Sequence, residues 1–135
     1  MEDPDSEHST REVRTRLRIV LADDHRGLLE EMCNLLTPEF EVVRWVTDGV
    51  ALIEAARELR PDVVITDMNM PEIDGLEVAR QVRSIKPDLP VVLASGYTAS
   101  LTTDILREAG VCDLLEKPVA LPALADVLHR NVPRS

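Results

Sequence analysis

Apolar residues recur along this chain in two rhythms. Short aliphatic runs, LRIVLA (17–22), VVRWV (42–46), DVVIT (62–66), PVVLA (90–94) and VCDLL (111–115), are separated by longer stretches with helical spacing. Three of the runs are nearly continuous rather than alternating in polarity, as in strands covered on both faces of a parallel sheet. Between them, Leu28, Met32, Leu35 and Leu36 step by i, i+4, i+7 and i+8, and Leu52, Ala55, Ala56 and Leu59 by i, i+3, i+4 and i+7. Val78, Val82 and Ile85 repeat the pattern, and Pro87 predicts its stop. Two more helices are predicted over 99–109 and 121–131, the latter with Leu121, Leu124 and Leu128 on one face. Five strands alternating with five helices, joined by short loops and right-handed crossovers, predict an α/β domain with a doubly wound five-stranded parallel sheet. The chain divides into a flexible N-terminal tail (1–16), the domain proper (17–131) and a short C-terminal end (132–135).

Composition narrows what such a domain could do. Its 135 residues suffice for one aliphatic core, since Phe40, Trp45 and Tyr97 are its only aromatics. So few rings leave no stacking platform for single-stranded nucleic acid. Twenty-five acidic against fifteen basic residues give a net charge of -10, which repels phosphate backbones. Direct nucleic-acid binding is therefore not expected. No apolar run approaches the roughly 18 residues of a membrane span, and MEDPDSEHSTREVR lacks the apolar stretch of a secretory signal, so a cytoplasmic protein with no membrane partner is expected. Cys33 and Cys112 have no metal-type spacing and read as two buried thiols.

The candidate chemistry lies where the strands end, because open α/β sheets bind ligands at the carboxyl ends of their strands. The first run is followed by Asp23 and Asp24, the third by Asp67, the fourth by Ser95, and the fifth by Glu116, Lys117 and Pro118. Parallel strands would bring three carboxylates, a hydroxyl and an ammonium to one edge. Two carboxylates about 4 Å apart repel by roughly 4 kcal/mol at an effective dielectric near 20. A hard divalent cation resolves that conflict, and an all-oxygen set suits Mg2+. The chain has no GxGxxG after the first strand, no GxxxxGK[ST] and no GxSxG elbow. What remains are the parts needed for phosphoryl transfer to an aspartate.

LADDH (21–25), DVVITDMNMPEIDGLE (62–77), VVLASGY (91–97) and LLEKP (114–118) together resemble the receiver domain of two-component response regulators, over roughly residues 17–131. The resemblance implies the flavodoxin-like receiver fold and a phosphoacceptor aspartate, with Mg2+ required. On this pattern Asp67 is the acceptor, Asp23 and Asp24 the metal-binding acid pair, and Asn69 the residue whose backbone carbonyl completes the protein ligands. Ser95 matches the hydroxyl that bonds the phosphoryl group, and Lys117 the lysine that pairs with its oxygens. Pro118 follows across a peptide bond that is usually cis in the family, while Pro71 and Gly75 match the turn and helix start after the acceptor. The implied partners are a sensor histidine kinase or histidine phosphotransfer protein upstream and an effector protein or domain downstream, with a homodimer on phosphorylation also in view. Leu114 departs from the pattern, because receivers usually carry Tyr or Phe three residues before the lysine.

Two other readings compete. A Mg2+-dependent phosphohydrolase with an aspartyl-phosphate intermediate would usually place a second Asp two residues after the nucleophile, where this chain has Asn69. A receiver kept only as a docking module would not need Asp23, Asp24, Asp67, Ser95 and Lys117 intact. The expectation is thus a phosphoaccepting switch that promotes only its own phosphorylation and dephosphorylation, not an enzyme with substrate turnover.

Overall fold

Each aliphatic run becomes a strand in the computed structural model, which describes residues 16–37, 39–96 and 98–131. The elements are β1 (Arg18–Ala22), α1 (Arg26–Leu36), β2 (Glu41–Val46), α2 (Gly49–Leu59), β3 (Val63–Asp67), α3 (Gly75–Ile85), β4 (Val91–Ser95), α4 (Thr103–Ala109), β5 (Asp113–Glu116) and α5 (Leu121–Asn131). All strand pairs are parallel and the order is β2-β1-β3-β4-β5, so the chain reverses direction across the sheet between β1 and β3. The tail expected over 1–16 lies, apart from Arg16, outside the described residues, as do Tyr97 and 132–135.

Burial on both faces explains the continuous aliphatic runs. Ile19, Leu21, Val63, Ile65, Val92, Ala94 and Leu115 pack against α1 and α5 through Leu29, Met32, Leu36, Leu124, Val127 and Leu128. Their neighbours Val20, Ala22, Val64, Val91 and Leu93 pack the other way, against Leu52, Ala55, Ala56, Val78, Ala79, Val82 and Ala109 of α2, α3 and α4. Short polar side chains start the helices by accepting backbone N–H bonds: Asp48 from Ala51 (2.8 Å), Asp74 from Glu77 (2.9 Å) and Thr102 from Ile105 (3.2 Å).

The structure corrects four expectations. α4 begins at Thr103 rather than 99, because Thr102 caps it and Leu101 N–H closes a separate turn onto Thr98 O. β5 begins at Asp113 rather than 111. The residues before it close α4, with Gly110 left-handed (φ 87°), its N–H bonding Arg107 O and the Val111 N–H bonding Leu106 O. Leu35 is exposed although its spacing fits the apolar face of α1. The cysteines are free but not both buried: Cys33 is half-buried, and Cys112 is exposed where the chain enters the edge strand. Trp45 lies on the edge strand β2, 44% exposed, with the Arg26 guanidinium 5.7 Å from its ring centre. No helix among the described residues is long and apolar enough to cross a membrane.

Candidate functional site

The carboxyl ends of β1, β3 and β4 deliver Asp23, Asp67 and Ser95 to one edge, and all three side chains are buried. Asp24 follows Asp23 and is exposed. Carboxylate oxygens of Asp23, Asp24 and Asp67 all lie within 4.8 Å of one another. Lys117, just beyond β5, reaches into this group. Its Nζ donates to Asp23 Oδ2 at 2.8 Å and pairs with Asp67 Oδ1 at 2.9 Å. The lysine is itself placed by the sheet, since its backbone N–H bonds Ser95 O at 2.9 Å, and the Lys117–Pro118 peptide is cis.

Burial pushes the Asp67 carboxyl above its ordinary value. The bond from Lys117 pulls it back, while the charges of Asp23 and Asp24 add to the upward push. Burial alone would lower the Lys117 ammonium, but its bonds to Asp23 and Asp67 outweigh this and hold its pKa above the ordinary value. One ammonium therefore serves two of three clustered carboxylates, which leaves a negative charge that the described side chains do not balance.

The loop after β3 is tightly organised. Met68 N–H bonds Ala94 O at 2.9 Å, and Gly75 N–H returns to Met68 O at 2.8 Å. A Cβ on Gly75 would stand 2.4 Å from Leu93 Cδ1 and 2.7 Å from Asp67 O, so only glycine permits this approach. Asn69 lies exposed within the loop. A residue outside the candidate set also enters: the His25 N–H donates to Asp23 Oδ1 at 2.9 Å, while its Nδ1 accepts from Leu28 N–H at 3.2 Å and caps α1. Only its adjacency to the acid pair signals this. Beside Lys117 a cleft of about 480 Å3 opens, lined by His25, Gly27, Leu28, Glu31, Lys117 and Pro118.

An acidic cluster crossed by a lysine at the carboxyl ends of a β2-β1-β3-β4-β5 sheet meets its counterpart among known proteins. The response regulator receiver domain family matches residues 19–129. This chain belongs to that family. The receiver is 36% identical over 108 residues to the response regulator MprA of Mycobacterium leprae, an alignment covering 80% of this chain and 47% of that one. It thus spans about half the length of the curated relatives it matches. Among solved structures, a two-component response regulator of the LuxR family from Aurantimonas superposes with a TM-score of 0.79 at 25% identity, over 85% of this receiver and 84% of that chain. The response regulator domain of Thermotoga maritima CheB shares the fold, with a TM-score of 0.78 at 23% identity over 86% and 96% of the two chains.

Leu114, in place of the family's usual aromatic, is half-buried. It pairs in register with Leu93 and packs with the cluster beneath α2, α3 and α4.

Proposed function

We propose that this receiver takes a phosphoryl group on Asp67 from the histidine of a sensor kinase or phosphotransfer protein, and that the modified domain engages an effector downstream. The observation that carries this reading is the Lys117 ammonium held between Asp23 and Asp67 beside a third carboxylate. In the step, an Asp67 carboxylate oxygen forms a bond to phosphorus as the phosphorus–nitrogen bond of the donor breaks, and the imidazole leaves. Lys117 offsets part of the upward push on the Asp67 carboxyl, which favours the anionic nucleophile, and stands ready to bond the incoming phosphoryl oxygens. Ser95, at the end of the adjacent strand, donates its hydroxyl to the same group.

The carboxylates of Asp23, Asp24 and Asp67 fit a hard divalent cation that keeps several waters, and the Asn69 backbone carbonyl would be the further ligand. Held by these residues, Mg2+ would supply neutralisation of the charge on the transferring group. Asp23 is oriented for this by the His25 N–H. Asn69 also weighs against the hydrolase reading, since an amide two residues after the acceptor cannot serve as the acid and base of turnover. With Leu114 lacking an aromatic ring, the signal leaves through the loop after β4 and the start of α4 more than through the face of β5. A homodimer on phosphorylation is a compatible output.

Acetyl phosphate with Mg2+ should add one phosphoryl group, read by intact mass, and Asp67→Ala should take up none. Equal labelling of the two proteins would refute the assignment.

A further inference from the structure

The described part of the fold buries four polar side chains, and three of them, Asp23, Asp67 and Ser95, form the edge just discussed. The fourth, Thr66, is fully buried and points the other way. Its register partners Ala22 and Leu93 belong to the apolar layer beneath α2, α3 and α4. A hydroxyl taken from water into such a layer is unfavourable unless it bonds. Thr66 Oγ1 donates to the backbone carbonyl of Asp67 at 3.1 Å, with Met70 Sδ beside it at 4.0 Å. Valine would fill the same strand position without that desolvation, so packing gives no reason for the hydroxyl.

What it grips is the first peptide of the loop. The carbonyl oxygen of the Asp67–Met68 peptide takes the Thr66 hydroxyl, its N–H goes to Ala94 O at 2.9 Å, and Gly75 packs directly on that oxygen. The next peptide is held at Met68 O by the Gly75 N–H at 2.8 Å. Two successive peptide planes are therefore set as the chain leaves the acceptor for Asn69, and Thr66 is the side chain that fixes the first.

We infer that Thr66 is a positioning residue for the Mg2+ site, its hydroxyl orienting the Asp67–Met68 peptide and through it the Asp67 carboxylate and the Asn69 carbonyl. This deepens the proposed function and rests on it. Partners one bond removed from a metal ligand affect affinity strongly, because they set the direction in which the ligand points.

The test compares Thr66→Val, which keeps the shape and loses the hydroxyl, with Thr66→Ser, which does the reverse. Mg2+ affinity is read by titration calorimetry, the metal-free Tm by thermal melting, and labelling by acetyl phosphate. The Val variant should bind Mg2+ about tenfold more weakly and label more slowly, at a Tm no lower than that of the unaltered protein. The Ser variant should melt lower yet bind Mg2+ as the unaltered protein does. Unchanged affinity in the Val variant, or affinity that follows Tm across the pair, overturns the inference. Should the Val variant not fold, Thr66→Ala takes its place, and equal affinities of the Ala and Ser variants overturn it. An unaltered protein that takes up neither Mg2+ nor a phosphoryl group refutes the proposed function, and the role of Thr66 with it. One that takes up both, beside an unchanged Val variant, refutes only the role of Thr66.

Discussion

At the amino ends of the strands, Arg16, Arg18 and Asp62 find partners within the fold. Arg18 gives its N–H to Asp62 Oδ2 at 2.8 Å, and its Nη1 bonds the carbonyls of Leu59 and Arg60 where α2 ends. Arg16 Nη2 does the same for Thr37 and Phe40 at 2.9 and 2.8 Å. At the carboxyl ends of the same strands, one ammonium pairs with two of three clustered carboxylates. One end satisfies its polar groups internally, as a stable fold requires. The other leaves charge unbalanced inside a mostly buried cluster, which a protein tolerates where a ligand supplies the remainder. Removing charge should therefore weaken the first end and strengthen the second.

The largest effect is on phosphoryl uptake, which Asp67→Ala should abolish while Asp62→Ala leaves it in place, as intact-mass measurements can check. Next comes Mg2+, which at a hundred times its Kd should stabilise the unaltered protein by about 2.7 kcal/mol. The double substitution Asp23→Asn, Asp24→Asn should erase that gain in thermal melts, yet melt a few degrees higher than the unaltered protein without metal. A double variant that keeps the Mg2+ response would put the cation elsewhere. At the other end, Asp62→Ala should destabilise by about 1–2 kcal/mol in urea titrations, since it strands the Arg18 N–H. Stabilisation there would dissolve the contrast between the ends.

Smaller effects probe groups away from the carboxylate cluster. Burial tends to raise the Asp113 carboxyl, but bonds from Asn131, Arg130 and the Leu114 N–H outweigh it and hold its pKa below the ordinary 3.8. Its contribution is therefore present above pH 3.8 and is lost as pH falls through the depressed folded value. Asp113→Asn should lower stability at pH 7 by up to about 1 kcal/mol, because Arg130 is largely exposed, and the difference should shrink in melts taken at successively lower pH below 3.8. A difference constant with pH would mean that packing, not charge, is at stake. Finally, among the described residues each end holds one non-glycine residue with positive φ, Arg60 at 49° and Glu72 at 74°. Arg60→Gly and Glu72→Gly should each raise stability by roughly 0.5 kcal/mol, as the strain relieved slightly exceeds the added chain entropy. A loss of Tm in either would show that the side chain contributes contacts of its own.

The three inner strands β1, β3 and β4 were legible because both of their faces are buried, which leaves nearly continuous aliphatic runs. Asp23, Asp24, Asp67, Ser95 and Lys117 were legible for a related reason, since each interrupts or ends such a run where a parallel sheet presents its edge. The start of β5 was not, because Val111 is as apolar as a strand residue while its N–H serves to close α4. The exposure of Cys112 and Leu35 escaped for want of any signal in residue type. Thr66 reads as one more β-branched strand residue, and only its hydrogen bond distinguishes it from valine. The double grip of Lys117 depends on the distance between two strand ends, which periodicity does not carry.

The closure of α4 by Gly110 and Val111 has a consequence at the rim of the sheet. It leaves β5 only four residues, beginning with Asp113, whose carboxylate is engaged by Arg130, and ending with the exposed Glu116. The opposite rim, β2, is thrown out of register against Ile19 and Val20 and presents the charged Arg44. A foreign strand laid along either rim finds too short a ladder on one side and a kinked, charged one on the other. Both borders of the sheet are thereby poor templates for fibre growth, so crowding copies together should not readily convert this fold into extended aggregates.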